Sequence, residues 1–320
     1  MIEHVVGVDL GGTQIRAVLA DRKGTVIARD QRMTEADEGP AAVIARVIDS
    51  IRTVTGDANV AAIGIGAPGP IDPHRGIVLM GPNLPGWKHV DLRNALYEPF
   101  GVPVFVGNDA NLAALAEHRY GAGRGVDHMI YITQSTGIGM GIIVDGHMLV
   151  GAQGLAAEAG HMTIDLSQDN PAQGVVGTLE GLAAGPDLAA HAQRRLRAGA
   201  QSLAVALAGG NIDNVSPREL GDAAAQGDAF ALAQFEETGR YLGVGITNLL
   251  HTFNPQRIVI GGSVWMHCRP YMEESLWKTI RARAQSQEYW QWLDIVTAEL
   301  GSDVGLLGAV ALAVTGDKGG

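Results

Sequence analysis

Thiols are almost absent from this chain of 320 residues: its single cysteine, Cys268, excludes an internal disulfide framework and any metal site built on several thiolates. The expected state of Cys268 is a reduced, buried thiol. Positive charge is scarce too. Lys and Arg number 23 against 34 Asp and Glu, a net charge of −11. No basic footprint for nucleic acid exists, so an anionic ligand must be held by local backbone amides, a few cations or a metal. Long apolar runs are also missing. No segment of about 20 apolar residues reads as membrane-spanning, and Met1–His4 leads directly into a strand-like run without a basic and apolar leader. The expected location is the cytoplasm.

Apolar material itself is plentiful. Hydrophobic residues make up 46% and charged residues 18% of the chain, enough for one large core or two smaller ones, and two domains are expected. Val5–Leu10 and Ile15–Ala20 are β-rich runs separated by Gly11, Gly12 and Thr13, and Asp21–Gly24 turns the chain into Thr25–Arg29, which predicts a three-stranded meander. Pro40–Val54, with Val43, Val47, Ile48 and Ile51 at helical spacing, predicts a helix; Val60–Gly66 and Val102–Gly107 predict strands, and Asn111–Tyr120 a helix. The middle of the chain repeats the opening plan: strand Met129–Thr133, glycine turn Ser135–Gly141, strand Ile142–Val144, tight turn Asp145–Gly146, strand His147–Val150. Two stretches sharing this order indicate a duplicated α/β unit. Ala229–Phe253 predicts one long helix, with Ala233, Leu242, Ile246, Leu249 and Phe253 on a shared face, ended by Asn254 and Pro255 before strand Arg257–Ile260. Gly209–Pro217 reads as a surface loop. Val304–Val314, apolar nearly all round, predicts a buried helix.

Three glycine turns follow three different strands: Gly11–Thr13, Thr136–Gly139 and Gly261–Ser263. Each offers backbone N–H groups free of side chains, the chemistry that a phosphate chain needs. None of the three has the P-loop or GxGxxG spacing. Asp9, at a strand end beside such amides, is placed either to hold Mg2+, directly or through water, or to cap its turn. In GNDAN, Gly107–Asn111, a strand meets a helix. Asp109 suits an N-cap there, but Asn108 beside it and the strand-end position also suit a ligand site. GAPGP (Gly66–Pro70, with Gly69), PNLPGW (Pro82–Trp87, with Asn83), EAGH (Glu158–His161) and Glu180 supply the mixture of carboxylate, amide and imidazole that brackets a polyhydroxylated ligand. Singly, His161 reads as a structural histidine and Glu180 as a solvated helix residue.

Taken in order, DLGGT, GAPGP, PNLPGW, GNDAN, STGIG, EAGHM and FNPQRIVIGGSV span nearly the whole chain, which resembles the ROK family of sugar kinases and, within it, the bacterial glucokinases. The resemblance implies an α/β fold of the actin-like ATPase and sugar kinase class: two ribonuclease-H-like domains flanking a cleft, 1–119 plus 301–320 forming the smaller and 120–300 the larger. It implies ATP and Mg2+ as cofactors, ATP lying against Asp9, Gly11, Gly12, Thr13, Thr136, Gly137, Gly139, Gly261, Gly262 and Ser263, with Asp9 near the Mg2+. It also implies sugar contacts from Gly69, Asn83, Asn108, Asp109, Glu158, His161 and Glu180, with Asp109 as catalytic base, domain closure for turnover, and a homodimer or homotetramer. Tyr289–Leu293, YWQWL, could serve either as an interface patch or in the core. Two departures stand out. Relatives carry a CxCGxxGCxE zinc motif where this chain reads PAQGVVGTLE, with Pro171, Gln173 and Thr178 at the thiolate positions. No structural zinc is therefore expected, and Val175, Val176 and Leu179 are expected to stabilise the loop by apolar packing. Gln14 stands where many relatives have lysine.

The implied activity is phosphorylation of a hexose by ATP, glucose at O6 being favoured by PNLPGW and EAGHM. N-acetylmannosamine, N-acetylglucosamine, fructose and allose are the alternatives, and the acidic balance argues mildly against polyphosphate as donor. The family's sugar-sensing repressors need a DNA-binding module ahead of DLGGT, and with DLGGT starting at Asp9 none is expected here. The expected partners are thus a small sugar and ATP, with no nucleic acid and no membrane.

Overall fold

The computed structural model describes residues 4–167 and 175–316. In chain order it contains β1 (His4–Leu10), β2 (Gln14–Asp21), β3 (Val26–Met33), α1 (Pro40–Thr55), β4 (Val60–Ala67), β5 (Ile71–Asp72), β6 (Ile77–Met80), β7 (Lys88–Asp91), α2 (Leu92–Phe100), β8 (Val104–Asn108) and α3 (Asp109–Tyr120). There follow β9 (Met129–Gln134), β10 (Ile138–Val144), β11 (His147–Met148), α4 (Leu179–Ala183), α5 (Gly185–Arg197), α6 (Leu203–Leu207), α7 (Pro217–Ala224), α8 (Ala229–Phe253), β12 (Arg257–Gly261), α9 (Ser263–Arg283), β13 (Asp294–Thr297) and α10 (Val304–Thr315).

The first sheet has the order β3-β2-β1-β4-β8 and the second β11-β10-β9-β12-β13. Numbered by appearance within each half, both read third, second, first, fourth, fifth, so the repeat visible in the glycine hairpins extends to whole sheets. In the first, β1, β2 and β3 pair antiparallel while β1–β4 and β4–β8 pair parallel. In the second, β10–β11 is antiparallel and β12–β13 parallel. Packing separates two compact units, one reaching to Tyr131 and including Gly141–Ala157 and the chain from Ala298, the other comprising Ile132–Met140 and Glu158–Thr297. Residues 120–131 and 141–157, given by sequence to the larger domain, thus pack with the first unit.

Within the first unit, Val6, Val8 and Leu10 of β1 lie in one apolar cluster with Val43, Val47 and Ile51 of α1. Val5, Val18 and Ala62 belong to a second cluster with Leu306, Val310 and Ala313 of α10. Alternation along the strands therefore covers both faces of the sheet with helix. The α10 side is tight enough that Gly64 has no room for a Cβ, which would overlap the Ala309 carbonyl. Within the second unit, α8 is capped by the Asp228 side chain accepting from Ala231 N at 2.8 Å and ended by Asn254 in the left-handed conformation. Gly239 and Gly243 let it lie against Met272, Leu276 and Thr279 of α9.

Several expectations are corrected. Ala233 is exposed, and Ala231, Phe235, Thr238 and Leu242 form the buried face of α8 instead. The turn read as Ser135–Gly141 is shorter, since β10 starts at Ile138. The segment Gly209–Pro217 holds a 3-10 turn at Ile212–Asn214 and ends where α7 begins. Val175 and Val176 are 62% and 42% exposed, so only Leu179 supplies apolar packing. The segment is held by backbone bonds from Ile164 N to Gly177 O at 2.7 Å and from Leu179 N to Met162 O at 3.0 Å. Trp292 of YWQWL is 82% exposed, which removes it from the core. Pro171, Gln173 and Gly174 lie outside the described residues.

Candidate active site

In the first unit, the ends of parallel strands gather the candidate groups. Asp9 on β1 is in register with Gly66 on β4, and Gly66 with Gly107 on β8. Asn108 and Asp109 follow at once, so they share with Asp9 the carboxyl edge where open α/β sheets hold ligands. Asn108 caps α3, its Oδ1 accepting from Asn111 N at 2.8 Å. It is Asn108, rather than Asp109, that takes the N-cap, leaving Asp109 in the first helical turn with Oδ1 accepting from Ala110 N at 2.9 Å. Solvent reaches the Asp109 side chain, yet the protein mass around it raises its carboxyl above the ordinary aspartate value, and the negative charge of Asp9 adds to that rise.

The Gly11–Thr13 turn is fixed by Gly11 N donating to Gln14 O at 2.9 Å, Thr34 N to Thr13 O at 2.8 Å and the Thr34 hydroxyl to Gly11 O at 2.7 Å. Gly12 lies so close to Asn83 that a Cβ would sit 2.8 Å from its backbone oxygen. The buried Leu84 and Trp87 anchor the Asn83 loop. Gly69, at φ 97°, brings GAPGP against Met80 and Pro82. The structure thus brings Gly12, Asn83 and Gly69 into a single neighbourhood.

One partner in this region was missed by sequence reading. Arg16 is the cross-strand partner of Asp9. Its Nε donates to Asp9 Oδ2 at 3.1 Å, its Nη2 donates to the same oxygen, and Nη1 reaches Ser302 O at 2.8 Å. The period of two along a hairpin, with Asp9 and Arg16 placed symmetrically about the turn, carried that signal.

In the second unit, the Ser135 and Ser263 hydroxyls lie 2.9 Å apart, bringing the turn after β9 to the turn after β12. Gly262, at φ 91°, packs on the backbone of Gln134, where a side chain has no place. Gly139 lies inside β10 rather than in the turn. Beside the paired turns opens a cavity of about 660 Å³, walled by Pro186, Ala189, Pro217, Val264 and Cys268, with Thr136 and Arg218 also at its lining. Pro186, Ala189 and Arg218 were not read from sequence as site residues, because they come from α5 and α7, which no motif marked. Burial pushes the Cys268 thiol up to about 12, consistent with an inert, reduced cysteine.

Glu158 precedes and His161 ends a 3-10 turn, with His161 Nε2 3.9 Å from Glu158 Oε2 and both side chains about half exposed. Glu180 points to the glycine turn: its Oε2 accepts from Ile138 N at 2.9 Å. Thr178 caps α4 through Gly181 N at 3.1 Å. Among the described residues, no group of three or more His, Cys, Asp or Glu side chains could hold a metal ion, and no helix is long and apolar enough to cross a membrane.

A duplicated five-stranded sheet with paired glycine turns and an aspartate at the carboxyl edge defines the ribonuclease-H-like fold of the actin-like ATPase class, in which sugar kinases are built. The sequence model of the ROK family matches residues 5–315, and the chain belongs to that family. It is 33% identical to a glucokinase of Thermotoga maritima over 96% of each chain. It is 29% identical to a xylose repressor of Caldicellulosiruptor bescii, covering 98% of this chain and 79% of the repressor. Its structure is similar to that of a ROK family glucokinase from Streptomyces griseus in complex with glucose and AMPPNP, with a TM-score of 0.78 and 32% identity, covering 98% of this chain and 100% of that one.

Proposed function

We propose that the protein is a cytoplasmic, ATP-dependent hexose kinase that phosphorylates glucose at O6. The observation that carries this reading is Asp109: a carboxylate at a strand-to-helix junction, on the same carboxyl edge of the sheet as Asp9, with its pKa raised by the surrounding protein and by the charge of Asp9. The glucokinase relative and the glucose–AMPPNP complex support it. In the proposed step the sugar O6 forms a bond to the γ-phosphorus of ATP while the bond from that phosphorus to the β–γ bridging oxygen breaks. ADP leaves with the electron pair, and Asp109 accepts the hydroxyl proton. The apolar cavity walls at Pro186, Ala189, Pro217 and Val264 suit a nucleobase, and the turn amides at Gly137 and Gly262 suit its phosphates.

Asp9 has one oxygen engaged by Arg16, which leaves the other for water-mediated support of a cation. A single carboxylate completed by water and phosphate oxygens fits the way Mg2+ is bound. When bound, Mg2+ would neutralise charge developing on the phosphoryl oxygens. Asn83, Asn108, Glu158 and His161 would orient the sugar hydroxyls, each of which both donates and accepts. The assembly we expect is a homodimer or homotetramer, readable by light scattering.

An ADP-release assay across glucose, N-acetylmannosamine, N-acetylglucosamine, fructose and allose tests the reading. The expected result is a kcat/KM for glucose that exceeds each other sugar. Turnover of another hexose alone would reassign the acceptor. Sugar binding without ATP turnover would instead favour a sensor, as in the repressor relative.

A further inference from the structure

One side chain of the cavity beside the paired turns is held in place from α7. His267 of α9 lines that cavity, and the edge of its ring that carries Nε2 rests on Gly221. A Cβ at position 221 would stand 2.7 Å from His267 Cδ2 and 2.8 Å from Nε2, so the ring lies where a side chain on α7 would otherwise be. At the next position, Asp222 Oδ1 lies 3.4 Å from the same Nε2, both side chains being about half exposed. A carboxylate beside one nitrogen of a neutral imidazole favours the tautomer with its hydrogen there, which leaves Nδ1 as an acceptor. The serine hydroxyls of the lining are engaged elsewhere: Ser135 and Ser263 meet at 2.9 Å, and Ser216 donates to Glu219. Arg218 is exposed and can only donate.

We propose that His267 is a specificity-determining residue for the nucleobase: its Nδ1 accepts a hydrogen bond from the exocyclic amine of adenine, and Asp222 keeps that nitrogen free of hydrogen by holding the proton on Nε2. The proposal rests on the kinase reading and on a nucleobase occupying this cavity. It adds a preference that apolar walls cannot supply, because they receive any base alike. Hypoxanthine carries a carbonyl where adenine has its amine, and facing Nδ1 that carbonyl would set one acceptor against another. The site then rejects the wrong base by leaving both groups unpaired.

The test compares the affinities of ATP and of ITP, the hypoxanthine nucleotide, by calorimetric titration of wild type, His267→Leu and Asp222→Ala with Mg2+ present and no sugar. Wild type is expected to favour ATP by about tenfold or more, the range of one lost hydrogen bond with its partner left unpaired. His267→Leu should bring the two nucleotides within about threefold of each other, ATP weakening while ITP moves far less. Asp222→Ala, in which neither the tautomer nor the ring is held, should shrink the wild-type preference by about threefold or more. A wild type that binds both nucleotides alike, or prefers ITP, overturns the proposal. So does a preference in His267→Leu equal to that of wild type, whether both affinities fall together or neither does, and a preference unchanged in Asp222→Ala overturns the part given to Asp222. Failure of the kinase reading is read separately, as no ADP release by wild type with any hexose, and binding of neither nucleotide would overturn both.

Discussion

As the proposed base, Asp109 carries two opposing demands. A general base must be ionised, while its surroundings and the charge of Asp9 favour the protonated acid. Since its folded pKa lies above the unfolded value, its contribution to stability is fully present below the unfolded pKa and is lost as pH rises through the folded pKa. At neutral pH the carboxylate therefore works against the fold. Asp109→Asn should be at least as heat-stable as wild type at pH 7, the difference shrinking as pH falls towards the unfolded pKa, and calorimetric scans across that range check the sign. The same variant should lose about 10²–10⁴-fold in kcat, the usual contribution of a positioned base. The wild-type rate should fall on acidification at a pH above the ordinary aspartate range while circular dichroism stays native. Near-normal turnover of Asp109→Asn would remove the residue from the reaction.

The thiol of Cys268 offers a second check at this scale. With its pKa pushed up to about 12, roughly one molecule in 10⁴ carries the thiolate at pH 8. Alkylation by iodoacetamide, followed by mass spectrometry, should be slower by several hundredfold or more in the native protein than in urea. Comparable rates would mean that the wall of the cavity opens readily.

At the scale of elements, glycines decide where layers can approach. Gly64 of β4 faces the backbone of α10 so closely that a methyl group would overlap the Ala309 carbonyl. Gly64→Ala is expected to destabilise the first unit by about 1–3 kcal/mol or more, the scale of overpacking against immovable backbone, read as a lowered urea midpoint. Gly56→Ala, whose Cβ would meet nothing within 4 Å, tests backbone conformation alone, since its φ of 47° is disfavoured for alanine.

Elements were legible where periodicity was strong. The hairpins of β1 to β3, helix α1 and the 25-residue α8 were all anticipated from alternation, spacing and end signals. Helices α2, α5, α7 and α9 were not, and α9 shows why: polar and apolar residues are mixed around Trp265, His267, Cys268 and Arg269, and Pro270 lies inside it. The apolar walls of the nucleobase-sized cavity come from α5, α7 and α9, so most of them escaped a reading guided by glycine turns. Glu180 was picked out as a polar group, but its bond to Ile138 spans 42 positions in sequence, and nothing local announces it.

At the scale of the whole molecule, the net charge of −11 opposes the approach of an anionic nucleotide, so any attraction must come from the turn amides, Arg218 and a cation carried by the nucleotide. Local amides act over a few ångströms and are little altered by salt, whereas the field of the whole chain is screened beyond about 30 Å at 0.01 M and about 10 Å at 0.1 M. Raising ionic strength across that range should therefore speed nucleotide association, measured by stopped-flow fluorescence with a labelled AMPPNP, and leave its dissociation nearly constant. A long polyphosphate, with many more negative charges, should show a steeper dependence of the same sign. Association that slows with salt would mean that a positive local field outweighs the acidic surface, and would place the electrostatic control of donor binding in the cavity itself.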